Sequence, residues 1–113
     1  MVLERLGRTR LIGIDTPEVH PRTECFGPQA ARRMRQLAPP GTRVTYRFDA
    51  ERRDRYGRAL VYLHAGGRFV NAELVRGGFA APLRVPPNTR HAGELDRLAG
   101  AARDAGRGLW GAC

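Results

Sequence analysis

The chain has 113 residues, 42% of them hydrophobic, and a formal net charge of +9. That length fits one domain and that apolar content fits a packed core, which excludes wholesale disorder. The apolar runs are far too short to span a bilayer, Met1 to Ile14 lacks the apolar segment of a signal peptide, and two cysteines cannot build a disulfide-dense scaffold or a four-cysteine zinc site.

Arg10 to Ile14 is a short, mostly apolar run closed by Asp15-Thr16-Pro17, and it reads as a strand entering a loop. Val19 to Cys25 is polar and reads as an exposed loop. Gly27-Pro28 opens a helix, with proline in the first turn. Ala30, Ala31, Met34, Leu37 and Ala38 recur at helical spacing until Pro39-Pro40 stops it. Val44, Tyr46 and Phe48 alternate with Thr45 and Arg47, the pattern of a half-buried strand. Ala59 to His64 is apolar at nearly every position and predicts a strand buried on both faces. Gly66-Gly67 signals a hairpin returning through Arg68 to Val70. Asn71 is expected to cap a short helix through Val75, ended by Gly77-Gly78. Pro82 to Thr89 is a loop, and Leu95, Leu98, Ala99 and Ala102 mark one face of the last long helix. Gly106 and Gly108 end that helix, and Leu109-Trp110 is expected to fold back as an apolar anchor. A small sheet or barrel with helices packed on it follows, an α+β arrangement.

All 20 basic residues are arginine, against 11 acidic residues. Coding bias accounts for arginine replacing lysine, but not for the excess of cations. The polyanion that such a charge fits first is nucleic acid, with an anionic membrane second. Two short stretches give this charge a chemistry. In one, Arg10 is followed by Asp15-Thr16-Pro17-Glu18; the other is Asp54-Arg55-Tyr56-Gly57-Arg58. Phosphodiester hydrolysis adds negative charge on the equatorial oxygens, so a site must neutralise it as it grows. Arg10 and Arg58 are candidates, because guanidinium binds phosphate oxygens with a bidentate fork. Asp15 and a backbone carbonyl suit a hard divalent cation, and Glu18 can orient or deprotonate a water. Each stretch alone has a plain alternative. Asp-Thr-Pro-Glu is an ordinary turn or helix start, and Tyr-Gly-Arg can be only a tight turn before a strand.

Taken in order, these segments together with Phe26-Gly27-Pro28-Gln29-Ala30, Asn71 to Gly78 and Gly108-Leu109-Trp110 resemble the staphylococcal nuclease (thermonuclease) family from about Arg10 to Trp110. The resemblance implies an OB-fold, a small antiparallel barrel with three helices packed on it, as one nuclease domain over residues 1–113. It implies a calcium-dependent nuclease that cuts DNA and RNA, taking single-stranded or denatured nucleic acid as substrate. Carried over by position, Arg10 and Arg58 would stabilise the pentacoordinate phosphorus and Glu18 would position the attacking water. Asp15 would bind one calcium ion, with Thr16 adding its backbone carbonyl. Arg55 and Tyr56 would lie near the terminal phosphate of a bound nucleotide. It also implies a monomer that is secreted or held in the cell envelope, with no membrane partner.

Two departures qualify this expectation. The family carries a further metal-binding aspartate on an early strand, and no aspartate precedes Asp15 here. The chain therefore reads as N-terminally shortened, with an open barrel edge and weak calcium binding. The loop from Pro82 to Asn88 also lacks the aromatics that contact the nucleoside in the family, so recognition should lean on phosphate. A non-catalytic OB-fold module that binds nucleic acid or protein, or an inactive fragment, are the alternatives. Cys25 and Cys113 are either bridged or two free thiols. His20, His64 and His91 show no ligand spacing, and surface or capping roles are expected for them.

Overall fold

The computed structural model describes all residues 1–113. Its elements are β1 (Val2–Leu3), β2 (Gly7–Leu11), β3 (Ile14–Asp15), α1 (Gly27–Leu37), β4 (Thr45–Arg47) and β5 (Ala59–Ala65). They continue with β6 (Arg68–Phe69), α2 (Val70–Arg76), β7 (Ala81–Pro82), α3 (Ala92–Asp104) and α4 (Leu109–Ala112). The main sheet runs β1-β2-β5-β4, with β6 added to the end of β5, while β3 and β7 form a separate pair.

The apolar run of β5 is explained by its place. It has β2 on one side and β4 on the other, and five of its seven residues are buried. A strand flanked on both edges and covered on both faces needs apolar side chains throughout. Helix α2 packs between this strand and α3, so Val61, Leu63, Val70, Leu74, Val75, Leu95 and Ala99 share one core.

Three expectations are corrected. The sheet is mixed rather than antiparallel, because β2 and β5 run parallel, with Thr9 opposite Ala59 and Leu11 opposite Val61. There are four helices, because Leu109-Trp110 begins a short helix of its own. The strand expected over Arg10–Ile14 is two strands, since the chain turns at Gly13, whose φ of +82° glycine adopts without strain. At the edge expected to be open, β1 pairs antiparallel with β2 through Val2–Arg8 and Leu3–Gly7.

Asn71 is not a helix cap. Position 69 precedes the first turn of α2, and Asn71 lies inside the helix, fully buried. Its Oδ1 accepts the Leu63 N–H at 2.9 Å, and its Nδ2 donates to the Ile12 carbonyl at 2.9 Å. One amide thus satisfies a donor on β5 and an acceptor in the turn after β2, in a place that water does not reach. Asn71→Ala would leave both backbone groups unpaired and is expected to cost roughly 2–5 kcal/mol, read as a lower urea midpoint. A variant as stable as the parent would show that these groups find other partners.

Candidate active site

The chain leaves β2, turns at Gly13 and runs along β3 into the segment Thr16 to Val19. This path, with α1 and Arg58, walls a cleft of about 290 Å3. Arg10, Asp15, Thr16, Glu18 and Arg58 all line it. Ala30, Ala31 and Met34 of α1 and Leu74 of α2 give its apolar wall.

Arg10 is half-buried on β2, opposite Leu60 of β5. Among the side-chain hydrogen bonds and ion pairs of the fold, none involves its guanidinium. Arg58 immediately precedes β5. The parallel register sets it level with Arg8, and side chains two apart on a strand share a face, so Arg58 and Arg10 look the same way. Arg58 is held rather than free. Its Nε donates to Asp54 Oδ2 at 2.7 Å, which leaves its two terminal nitrogens unengaged.

Asp54 is the residue whose role the sequence did not reveal. Its Oδ1 also accepts the N–H groups of Tyr56 (2.9 Å) and Arg58 (3.0 Å), so one carboxylate shapes the turn and aims the arginine. Burial acts to raise its pKa. The hydrogen bonds from Arg58 and Tyr56, with the charge of Arg58, outweigh burial and hold it below the usual carboxylate value. Its contribution is therefore complete above the ordinary carboxylate pKa and is lost as pH falls through the lowered folded value. The legible signal is an Asp four residues before an Arg, with Gly between, the pattern of a side-chain-stabilised turn.

Glu18 is placed by its own loop. Its N–H donates to Glu24 Oε1 at 2.7 Å and its carbonyl accepts the Glu24 N–H at 2.8 Å. The loop then lies so close to α1 that a Cβ on Gly27 would collide with the Glu18 carbonyl. The Glu18 carboxylate itself is exposed and makes no hydrogen bond, so it is free to take a water. Glu24, a second residue without a role in the sequence reading, is the brace.

Arg55 and Tyr56 do not line the cleft. They stand beside it on the turn before β5, with Tyr56 57% exposed. The Tyr56 ring has the Arg58 guanidinium 5.5 Å and the Arg55 guanidinium 4.9 Å from its centre. Cys25 and Cys113 are also outside the cleft, joined to each other by a disulfide. Asp15 is exposed at the end of β3, with Thr16 next to it. Both offer oxygen, the donor type a calcium ion takes, but no group of three or more His, Cys, Asp or Glu is gathered to hold a metal. A shell of six to eight oxygens thus fits these residues in kind and exceeds them in number.

A family model for staphylococcal nuclease homologues matches residues 8–112. The chain belongs to the staphylococcal nuclease family. It is 38% identical to a thermonuclease of Staphylococcus intermedius over 87 residues, which cover 74% of this chain and 51% of that protein. It is 31% identical to a thermonuclease of Staphylococcus hyicus over 105 residues, covering 89% of this chain and 61% of the relative. An SPbeta prophage-derived endonuclease of Bacillus subtilis is 31% identical over 106 residues, 89% of this chain and 36% of that protein. The chain thus spans from about a third to three fifths of the length of these relatives. For a staphylococcal nuclease fold, its cleft brings five of the sequence-predicted residues together and leaves the turn with Arg55 and Tyr56 at its side.

Proposed function

We propose that this chain hydrolyses phosphodiester bonds of DNA and RNA in the cleft between β2 and α1. One observation carries the reading: two arginines and two carboxylates line a single cleft, and the Arg10 guanidinium and the Glu18 carboxylate make no hydrogen bond within the protein. A guanidinium with no partner in the protein keeps its N–H donors for a ligand, and its planar fork matches a phosphate.

The steps follow from the groups. Arg10 and the free nitrogens of Arg58 take the equatorial oxygens of the phosphate. They neutralise charge that grows as the fifth bond to phosphorus forms, so they act more strongly on the transition state than on the bound substrate. The Glu18 carboxylate accepts a hydrogen bond from a water and directs it at phosphorus. As the water oxygen bonds to phosphorus the opposite P–O ester bond breaks, the leaving alkoxide takes a proton from solvent water, and the proton lost by the attacking water passes through Glu18 to solvent. Asp15 and the Thr16 carbonyl would hold one calcium ion weakly, with water and substrate filling its other positions. Such an ion would supply Lewis-acid chemistry. The relatives named thermonuclease and endonuclease support this reaction class. The Cys25–Cys113 bond supports residence in an oxidising compartment, outside the cytosol.

The test is cleavage of heat-denatured DNA by the folded chain with excess calcium and with chelator. Cleavage that chelator abolishes is the expected result. Glu18→Gln should lower turnover at least a hundredfold while leaving binding to DNA nearly intact. Absence of cleavage by a cooperatively folded sample would overturn the enzyme reading. The second reading, a nucleic-acid-binding module, rests on the small number of metal donors, and DNA binding without cleavage would establish it.

A further inference from the structure

Arg10 and Arg58 share their face with a third guanidinium. Arg8 stands two residues before Arg10 on β2, and alternate residues of a strand lie on one face roughly 7 Å apart. The register that sets Thr9 opposite Ala59 also brings Arg8 level with Arg58. Its Nη2 donates to the Tyr56 carbonyl at 2.6 Å, and a Cβ on Gly57 would stand 3.8 Å from that nitrogen. The guanidinium therefore rests on the turn that carries the exposed Tyr56 ring.

Arg8 is exposed, and none of the ion pairs in the fold involves it. That hydrogen bond uses one of its five N–H donors. The turn does not depend on Arg8 alone. Arg53 Nη1 donates to the next carbonyl, Gly57, at 2.8 Å, and Asp54 closes the turn from within. The charge of Arg8 is thus uncompensated, fixed in place, and beside the pair that takes the phosphate being cut.

We propose that Arg8 is a binding residue for the phosphate next to the one being cleaved. This rests on the nuclease reading above. In a bound strand the base beside that phosphate lies near the Tyr56 ring, and stacking on an exposed aromatic is tolerant of sequence.

The experiment measures binding of a labelled oligothymidine in chelator over a salt series, for the parent chain, Arg8→Gln and Arg8→Lys. Arg8→Gln should weaken binding about tenfold at low salt and reduce the slope of log K against log salt by about 0.7, the value for one single-strand phosphate contact. Arg8→Lys keeps the charge and should keep the slope. With calcium, Arg8→Gln should raise KM on the oligonucleotide much more than kcat falls. The loss should be smaller on a thymidine nitrophenyl phosphodiester, which has no second phosphate. An unchanged slope in Arg8→Gln would overturn the inference and leave the nuclease reading standing. Equal loss of slope in Arg8→Lys would also overturn it, since the residue would then act through the turn. If the parent chain bound no oligonucleotide, the nuclease reading itself would fail and this inference with it.

Discussion

Arg58→Ala is expected to lower turnover about a hundred- to a thousandfold, the usual loss when one preorganised donor to a developing oxyanion is removed. The geometry adds a second penalty. Arg58 Nε neutralises Asp54 at 2.7 Å, so the variant would leave a bare carboxylate near the bound phosphate. Lysine should not rescue it. The guanidinium uses Nε for Asp54 and keeps two nitrogens for phosphate, whereas an ammonium cannot serve both in that geometry. Arg10→Ala should lose a similar factor, since that side chain has no structural partner to break. Asp54→Asn removes the charge that orients Arg58 but not the arginine, so about a tenfold loss in kcat is expected. Single-turnover rates on denatured DNA, with circular dichroism to show that each variant is folded, are the measurement. A parent-like rate in Arg58→Ala would remove that arginine from the mechanism.

Much of this site was legible because its residues lie in two short stretches that meet in the fold. Arg10 to Glu18 and Asp54 to Arg58 come together only through the pairing of β2 with β5. The sequence announced β5 and the end of β2 at Arg10-Leu11, but pairing direction belongs to tertiary structure. Hence the parallel β2–β5 ladder was not foreseen. The long elements α1, α3 and β5 were readable, since each carries its period over several residues. Helix α4 spans four residues, too few for a period to show. Asn71 misled because asparagine before an apolar run is a strong cap signal. Its burial between β5 and the turn after β2 depends on neighbours distant in the chain. Asp54 and Glu24 were invisible as positioning groups for a similar reason: their work lies in which N–H each carboxylate meets.

The double variant Cys25→Ser with Cys113→Ser is expected to be less stable by about 4–5 kcal/mol in the chain-entropy view of cross-links. The bond joins residues 88 apart, so it restricts nearly the whole unfolded chain. In a domain where 22 of 113 residues are buried, the expected loss is a large part of the total stability. The native contacts that remain show where the effect should fall. The Leu109 N–H donates to the Gly78 carbonyl at 2.8 Å, and a Cβ on Gly78 would collide with the Arg107 carbonyl. The start of α4 therefore stays docked on the end of α2 without the bond. At the other end, Glu18 is held by its hydrogen bonds with Glu24 and by the close approach of Gly27. The expectation is a much lower urea midpoint, with turnover close to that of the parent at temperatures where the variant is folded. Urea unfolding and cleavage of denatured DNA, measured on one sample, separate the two quantities. An unchanged midpoint would deny the bond its stabilising role. A folded variant that had lost turnover would mean that the bond, rather than Glu24 and Gly27, sets the position of Glu18.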